Sequence, residues 1–98
     1  MATAMTKVIV QHHVADYERW YPVFTEHGDV RRSFGATGHS ISRDSADPNV
    51  VVIVNEFATL EGARGFAQDP SLPAVMERAG VDGPPQVWIT DEVETTRY

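Results

Sequence analysis

Hydrophobic residues fall into short segments whose alternation with polar residues predicts β-strands. Residues 8–14, VIVQHHV, and residues 50–57, VVVIVNEF, are the clearest, because β-branched residues dominate both. Weaker alternation predicts strands at residues 37–44 and 86–90. DSADPN at residues 44–49 is dense in turn formers and separates the second strand from the third.

Between the first two strands the apolar period changes from two to that of a helix. Residues 17–34 carry this helical pattern, and Asp16 is placed to cap its first turn. Pro22 has no N–H to donate to the carbonyl of Glu18. We therefore expect the helix to kink at Pro22, or to restart with Pro22 in its first turn.

A second helical region follows the third strand in two short pieces. Thr59 is placed to cap residues 60–68, and Ser71 to cap residues 72–79. Gly80 stands where a C′ glycine belongs, and it opens GVDGPP, which predicts a rigid loop before the last strand.

The predicted order is strand, helix, strand, strand, helix, strand. This is the ferredoxin-like βαββαβ arrangement, an α+β fold in which right-handed crossovers place both helices on one face of a four-stranded antiparallel sheet. The third strand is apolar on both sides, however: Val51, Ile53 and Phe57 point one way, and Val50, Val52 and Val54 the other. One of these rows has no helix to cover it, so we expect a homodimer in which two sheets pack face to face as a dimeric α+β barrel.

Length and composition are those of a small folded domain. With 98 residues, 42% of them hydrophobic and 22% charged, we expect a single domain over residues 1–98, with 1–6 and 93–98 peripheral to it. The formal charge of −6 argues against nucleic acid or an anionic membrane as a partner. No segment resembles a membrane span or a signal sequence, and the expected location is the cytoplasm.

The same composition limits the kinds of catalysis, metal site and cofactor that the chain can support. The chain has no cysteine, which excludes disulfides, thiolate catalysis and cysteine-bound metal clusters. A metal site built from two histidines and Glu56 is conceivable, but no ligand pair has a recognised spacing, and we expect no metal. No nucleotide-binding or hydrolase motif is present, so we expect no cofactor.

The first helix carries the most informative candidates. His27 lies near the middle of its apolar stripe, which also holds Trp20 and Phe24, with Arg31 on the flank. One interpretation is a core histidine satisfied by a backbone or tyrosine hydrogen bond. The other is a pocket between sheet and helices, where His27 or His12 acts as acid or base and Arg31 stabilises an oxyanion. In that pocket Trp20 and Phe24 are candidates for substrate binding.

Other polar and aromatic residues are weaker candidates. Asn55 on an apolar strand must form a hydrogen bond if it is buried, and it is also a candidate for substrate binding. Trp88 is a further candidate substrate contact, although a tryptophan there more often fills a dimer interface or the barrel. His39 and Arg43 alternate with Ile41, and we expect them to face water.

Several motifs together resemble a known family. They are HxVxDYxxWxxxF from His12 to Phe24, Gly35, the DPN turn before the valine strand, ARxF at 63–66 and AGVxGPP at 79–85. The chain from about residue 8 to residue 91 resembles small bacterial dimeric α+β barrel proteins of the antibiotic biosynthesis monooxygenase-like or "cyclase" group.

The resemblance implies a pocket between sheet and helices, in a superfamily of cofactor-free quinone-forming monooxygenases, polyketide cyclases and haem-degrading enzymes. This sequence departs from the motifs of those enzymes in two places, and each departure weakens one of the implied functions. The monooxygenases have an asparagine followed shortly by a tryptophan, whereas Asn55 is followed by Phe57 and Leu60; the haem-degrading enzymes use a histidine in the second helical region, and residues 58–80 contain none.

Two functions follow as hypotheses. The first is a cofactor-independent enzyme, monooxygenase-like or cyclase-like, that acts on an aromatic or polyketide-like small molecule, with His27 or His12 as base and Arg31 stabilising an enolate or phenolate. The second is a non-catalytic protein of the same fold, either a small-molecule binder or a structural dimer. An open cavity beside His27 would favour the first, and a filled core would favour the second.

Overall fold

The computed structural model describes residues 5–98, and within them eight elements follow one another in the predicted order. The two predicted helical regions are each divided into two helices. The elements are β1 (Thr6–Val14), α1 (Tyr17–Glu26), α2 (Gly28–Ser33), β2 (Ala36–Arg43), β3 (Val50–Phe57), α3 (Leu60–Ala67), α4 (Leu72–Arg78) and β4 (Val81–Asp91).

The four strands form one antiparallel sheet in the order β2-β3-β1-β4. The ferredoxin-like α+β fold expected from the sequence is therefore confirmed. The two central strands, β1 and β3, pair from Thr6↔Phe57 to His13↔Val50 without a bulge. This unbroken register matters for the site, because it aligns the alternate residues of both strands on the same face.

The core lies between the sheet and the helices. As the alternation predicted, Val8, Val10 and Val14 of β1 face the helices together with Val51 and Ile53 of β3. All five are buried. The helices contribute Trp20, Ala63, Phe66 and Ala79 to the same core.

The break in the first helical region is at His27, not at Pro22. Helix α1 runs through Pro22 to Glu26, and α2 begins at Gly28 after one non-helical residue. The expected restart at Pro22 is therefore wrong. His27 ends α1 with its N–H donated to the carbonyls of Val23 and Phe24 at 3.2 Å, so it is held at the junction of the two helices.

The predicted helix ends agree with the structure in most places. Asp16 accepts a hydrogen bond from the N–H of Glu18, and the Thr59 hydroxyl accepts one from the N–H of Gly62. Gly80 has a φ of +78°, as a C′ glycine should. Ser71 precedes α4 as expected, but its hydroxyl donates to Asp69 and makes no cap.

Strand β4 is longer than predicted. The segment predicted to be a rigid loop, residues 80–85, belongs to the strand from Val81 onward. The strand survives because the two prolines lie in a bulge: β4 has three residues between its pairs with His13 and Gln11, where β1 has only His12. This bulge lies directly opposite His12.

The ends of the described chain differ from expectation at one residue. Residues 1–6 were predicted to be peripheral; 1–4 lie outside the described residues, but Thr6 is buried in β1 and donates a hydrogen bond to Asp91. Residues 93–98 form no helix or strand.

The helix-free face of the sheet is apolar at its centre. Ile9 pairs with both Val54 and Trp88, which places the three side chains on this face. Ile9, Val52 and Val54 are half-buried, and Trp88 is 46% exposed. Within residues 5–98 no helix is long and apolar enough to cross a membrane.

Candidate active site

A cavity of about 790 Å³ lies between the sheet and the helices. Its floor is the helix-facing side of β1, β3 and β4; α1 and α2 form one wall, and the α3–α4 region forms the other. Its size is within the range of roughly 300–1,000 Å³ that small-molecule sites occupy. The apolar lining includes Val8, Val10, Trp20, Val23, Phe24, Ile53, Phe66, Leu72 and Val87.

His12 stands on the floor with no hydrogen-bond partner for either ring nitrogen within the described residues. Its ring meets Trp20 edge-on, with the ring centroids 5.8 Å apart. Burial lowers the pKa of His12 to about 4, because the apolar surroundings disfavour the imidazolium. His12 is therefore neutral at pH 7, with one nitrogen that can donate a hydrogen bond and one that can accept.

Aromatic rings line the α1 wall at helical spacing. Trp20 and Phe24 stack with centroids 4.9 Å apart, and Tyr17 extends the row at 5.6 Å from Trp20. Spacings of three and four residues place these side chains on one face of the helix. Of this row, Trp20 and Phe24 line the cavity and give it an apolar aromatic wall.

Arg31 continues this wall onto α2. Its side chain is only 6% exposed, and it makes no ion pair or side-chain hydrogen bond with residues 5–98. Its guanidinium lies over the Phe24 ring, with Cζ 3.7 Å from the centroid. Burial and the neighbouring Arg32 lower the pKa of Arg31 from its usual high value. A guanidinium still remains charged at neutral pH, so Arg31 is a buried cation that forms no ion pair with residues 5–98, although acidic residues such as Asp69 also line the cavity.

His27 lies beside Arg31 in the wall, and its buried Nε2 atom has no hydrogen-bond partner among residues 5–98. Burial lowers the pKa of His27, the charges of Arg31 and Arg78 lower it further, and Asp69 opposes them. His27 is buried, as its place near the middle of the apolar stripe predicts. Within the described residues its Nε2 has none of the hydrogen bonds expected of a satisfied core histidine, and the cavity beside it is open.

Asn55 faces the cavity from β3. Its Nδ2 donates to the carbonyl of Val8 at 3.2 Å, while its Oδ1 is buried with no partner. The hydrogen bond expected of a buried asparagine is therefore present. One acceptor atom is left for a ligand.

The structure brings six of the seven predicted site residues to one cavity and separates the seventh. His12, Trp20, Phe24, His27, Arg31 and Asn55 all line it. Trp88 lies on the opposite face of the sheet, so its predicted contact with a substrate in this cavity is wrong. The reason is register: Trp88 pairs with Ile9, whereas its neighbour Val87 pairs with Val10 and faces the cavity.

His39 and Arg43 were expected to face water, and they do so only in part. The register pairs His39 with Asn55 and Arg43 with Val51, on the helix side of the sheet. His39 meets the Phe24 ring edge-on at 4.9 Å. Both side chains stay exposed because β2 is an edge strand.

Sequence reasoning missed other cavity residues, among them Phe66 and Asp69. Phe66 of α3 faces His27, with ring centroids 6.2 Å apart, and Asp69 is the carboxylate that acts on the charge of His27. The helical period after Thr59 could have identified Phe66. Asp69 follows the helix in a turn, where no periodicity applies. Residues 5–98 contain no group of three or more histidines and carboxylates able to hold a metal ion.

Comparison with solved structures finds the same fold in several bacterial proteins. A protein from Bordetella bronchiseptica provisionally named an antibiotic biosynthesis monooxygenase matches with a TM-score of 0.75 and 16% identity, over 93% of this chain and 99% of that one. The cofactor-independent oxygenase SnoaB from Streptomyces nogalater matches with a TM-score of 0.67 and 12% identity, over 98% and 97%.

A third match is the monooxygenase from the gene ActVA-Orf6 of Streptomyces coelicolor, solved in complex with the ligand Nanaomycin D. It has a TM-score of 0.67 and 16% identity, over 97% of this chain and 93% of that one. The shared property is the fold. These neighbours are the group that the sequence motifs resemble. No protein-family model matches the sequence, and no curated protein matches it either.

Proposed function

We propose that the cavity binds a flat, weakly acidic aromatic or polyketide-like molecule as its anion, and that the protein oxygenates this molecule without a cofactor. One observation carries the proposal: Arg31 is buried at the cavity wall and forms no ion pair with any of residues 5–98. A buried charge is costly unless it is paired, and an oxyanion in this apolar cavity would supply the missing pair.

The polar atoms around the cavity suit the rest of such a molecule. His12 offers one donor and one acceptor, and the free Oδ1 of Asn55 accepts. The rings of Trp20 and Phe24 give the cavity an aromatic wall against which an apolar ring system can pack. Few polar atoms in a mostly apolar pocket fix the orientation of a ligand without requiring many charges on it.

His27 is the base in this proposal. Its unpartnered Nε2 accepts the proton of a phenol or enol, while Arg31 stabilises the oxyanion that remains. His12 is less suited to this role, because a pKa of about 4 makes it a much weaker base near pH 7. His12 instead orients the substrate as a neutral hydrogen-bonding group.

Oxygen then reacts with the anion. The electron-rich phenolate passes one electron to O₂, and the radical pair combines to form a C–O bond. The peroxide takes the proton held by His27. Its terminal OH then leaves with the ring C–H proton as one molecule of water, and a carbonyl remains. Phenol and O₂ thus give quinone and water, with all electrons supplied by the substrate. The names of two structural neighbours, a cofactor-independent oxygenase and a monooxygenase, support this reaction class.

We also propose that two copies pair through the helix-free face of the sheet. Ile9, Val52, Val54 and the half-exposed Trp88 form a contiguous apolar patch there. Such a patch favours burial against an identical one.

The test is binding and oxygen uptake with a panel of fused-ring phenols and quinols. We expect ligand binding to quench Trp20 fluorescence, and O₂ uptake to give a product heavier by one oxygen and lighter by two hydrogens. Prior treatment with a chelator should leave turnover unchanged. Binding without O₂ uptake would establish the non-catalytic alternative, and absence of binding by any anionic aromatic would overturn the proposal.

A further inference from the structure

A second, smaller pocket lies between α2 and β2, on the other side of Arg31. Its volume is about 150 Å³, and Gly28, Arg31, Arg32, Thr37, Gly38 and His39 line it. This is the space of roughly five water molecules. Arg31 lines both this pocket and the large cavity.

Two guanidinium groups converge at this pocket. A Cβ atom placed on Gly28 would lie 3.5 Å from a terminal nitrogen of Arg31 and 3.4 Å from one of Arg32. The two like charges are therefore brought together around a residue that has no side chain. Their repulsion contributes to the lowered pKa of Arg31.

The protein supplies only part of the opposite charge. Asp29 pairs with Arg32 on the exposed surface, and Arg31 has no carboxylate partner within residues 5–98. Glu56 pairs with Gly38 across the strands and does not line the pocket, although its Oε2 lies 3.8 Å from where a Cβ on Gly38 would be. The edge of His39 adds a further polar group to the lining. Two converging cations, one of them buried and unpaired, are the arrangement that binds a small oxyanion.

We propose that this pocket binds a small oxyanion of the size of inorganic phosphate, held between Arg31 and Arg32, and that its binding opposes binding of an anion in the large cavity. The binding site itself is independent of the proposed function; the opposition rests on it. One guanidinium charge serves both sites, so an oxyanion in the small pocket weakens the stabilisation that Arg31 gives to a phenolate. By thermodynamic linkage, binding of a phenolate must weaken binding of the oxyanion by the same factor.

The first experiment uses inorganic phosphate and the protein alone. We expect phosphate titration at constant ionic strength to give saturable NMR shifts at the amides of Gly28, Thr37 and Gly38. Arg32→Gln should lower the affinity for phosphate at least about fivefold, because it removes one of two charge-assisted contacts. The matched control, Arg64→Gln, removes an equal charge from an exposed site on α3 and should change affinity less than twofold.

The proposed oxyanion site would be overturned if phosphate gave no saturable NMR shift, or if Arg32→Gln and Arg64→Gln lost phosphate affinity equally. Circular dichroism spectra and thermal unfolding of both variants confirm that they are folded, which is expected because Arg32 and Arg64 are exposed.

The second experiment measures the opposition. With a phenol that binds the large cavity, saturating phosphate should weaken phenol binding by about fivefold in the wild type, a typical coupling between two sites. In Arg32→Gln the same effect should need at least about fivefold more phosphate, because this variant binds phosphate more weakly. Equal phenol affinity with and without bound phosphate would overturn the opposition. If phosphate binds and no phenol does, the oxyanion site stands and the proposed function fails; if phenol binds and phosphate does not, the reverse holds.

Discussion

The guanidinium of Arg31 lies over the ring of Phe24, with its Cζ 3.7 Å from the ring centroid, and this contact holds a cation without an ion-pair partner among residues 5–98 at the wall of a mostly apolar cavity. Stacking on an aromatic face holds the plane of a guanidinium but leaves its N–H edge free to donate. The edge is therefore available to a ligand in either of the two spaces that Arg31 borders.

Replacing Arg31 with methionine should separate binding from stability. The change removes a desolvated charge while keeping a long apolar side chain, so the free energy of unfolding should stay constant or rise by about 1 kcal/mol. Affinity for an anionic aromatic should fall at least tenfold, which is about 1.4 kcal/mol. Urea unfolding and fluorescence titration measure the two effects, with the exposed Arg64→Met as control. Lower stability with unchanged affinity would show that Arg31 is structural.

Replacing His27 with glutamine should lower turnover on an accepted phenol by about 100-fold, the effect of losing a placed general base. Because the pKa of His27 is lowered, the base is present above that pKa and is lost as pH falls through it. The acidic limb of the rate profile should therefore lie below pH 6.5 and disappear in the variant. His13→Gln, an exposed histidine on β1, should leave rate and profile unchanged. Full turnover by a folded His27→Gln protein would remove His27 from the mechanism.

His12 should make the protein sensitive to acid. Its pKa is about 4 in the folded chain and about 6.5 in the unfolded chain, so the unfolded state binds more protons between these values. Stability is then lost as pH falls from about 6.5 to about 4, by about 3 kcal/mol in all. Urea unfolding at pH 7 and pH 4.5 should show most of this loss in the wild type and in His13→Gln. His12→Gln should lack it, and an equal loss in that variant would refute the assignment.

Most of the fold could be predicted because it depends on local patterns. The valine alternation of β1 and β3 fixes which residues face the helices, and Asp16 and Thr59 mark helix starts by their own hydrogen bonds. The errors lie where tertiary contacts override the local signal. Pro22 is tolerated inside α1, and the proline-containing start of β4 still forms strand because a bulge accommodates it.

The site could be predicted only where its residues share a helix face or strand face. His27 and Arg31 were found because they lie near one stripe, and His12 because it follows the valines of β1. Trp88 was misplaced because the sequence does not reveal the register of β4 across its bulge. The pairing state of Arg31 depends on which carboxylates the fold brings near it, and no sequence pattern encodes this.

The proposed dimer can be tested by placing a charge on the helix-free face. Val54→Lys puts an ammonium at the centre of the apolar patch, where burial against a second copy would desolvate it. Light scattering at micromolar concentration should give a dimer mass for the wild type and a monomer mass for the variant. Ala74→Lys, on the exposed side of α4, should remain dimeric. A monomer mass for the wild type would refute the dimer.

Gly62 should not tolerate even a methyl group. A Cβ there would overlap the backbone carbonyl oxygen of Phe34, which leads from α2 into β2 and cannot move independently. Gly62→Ala should therefore destabilise the protein by about 2 kcal/mol despite the better helix propensity of alanine. At Gly65 a Cβ would instead meet the Phe34 ring at 3.1 Å, which can turn away. Thermal unfolding should show a clearly smaller loss for Gly65→Ala, and equal effects would contradict this packing argument.

The two tryptophans lie on opposite faces of one sheet, Trp20 in the cavity wall and Trp88 among the valines of the uncovered side. Each indole therefore senses a different event. Trp20, in apolar surroundings, emits at short wavelength and responds to whatever enters the cavity; Trp88, nearly half exposed, emits at longer wavelength and shifts when a second sheet excludes water from it. The native chain therefore carries one optical signal for ligand binding in the cavity and another for dimer formation. The variants Trp88→Phe and Trp20→Phe, which keep one tryptophan each, separate the two signals.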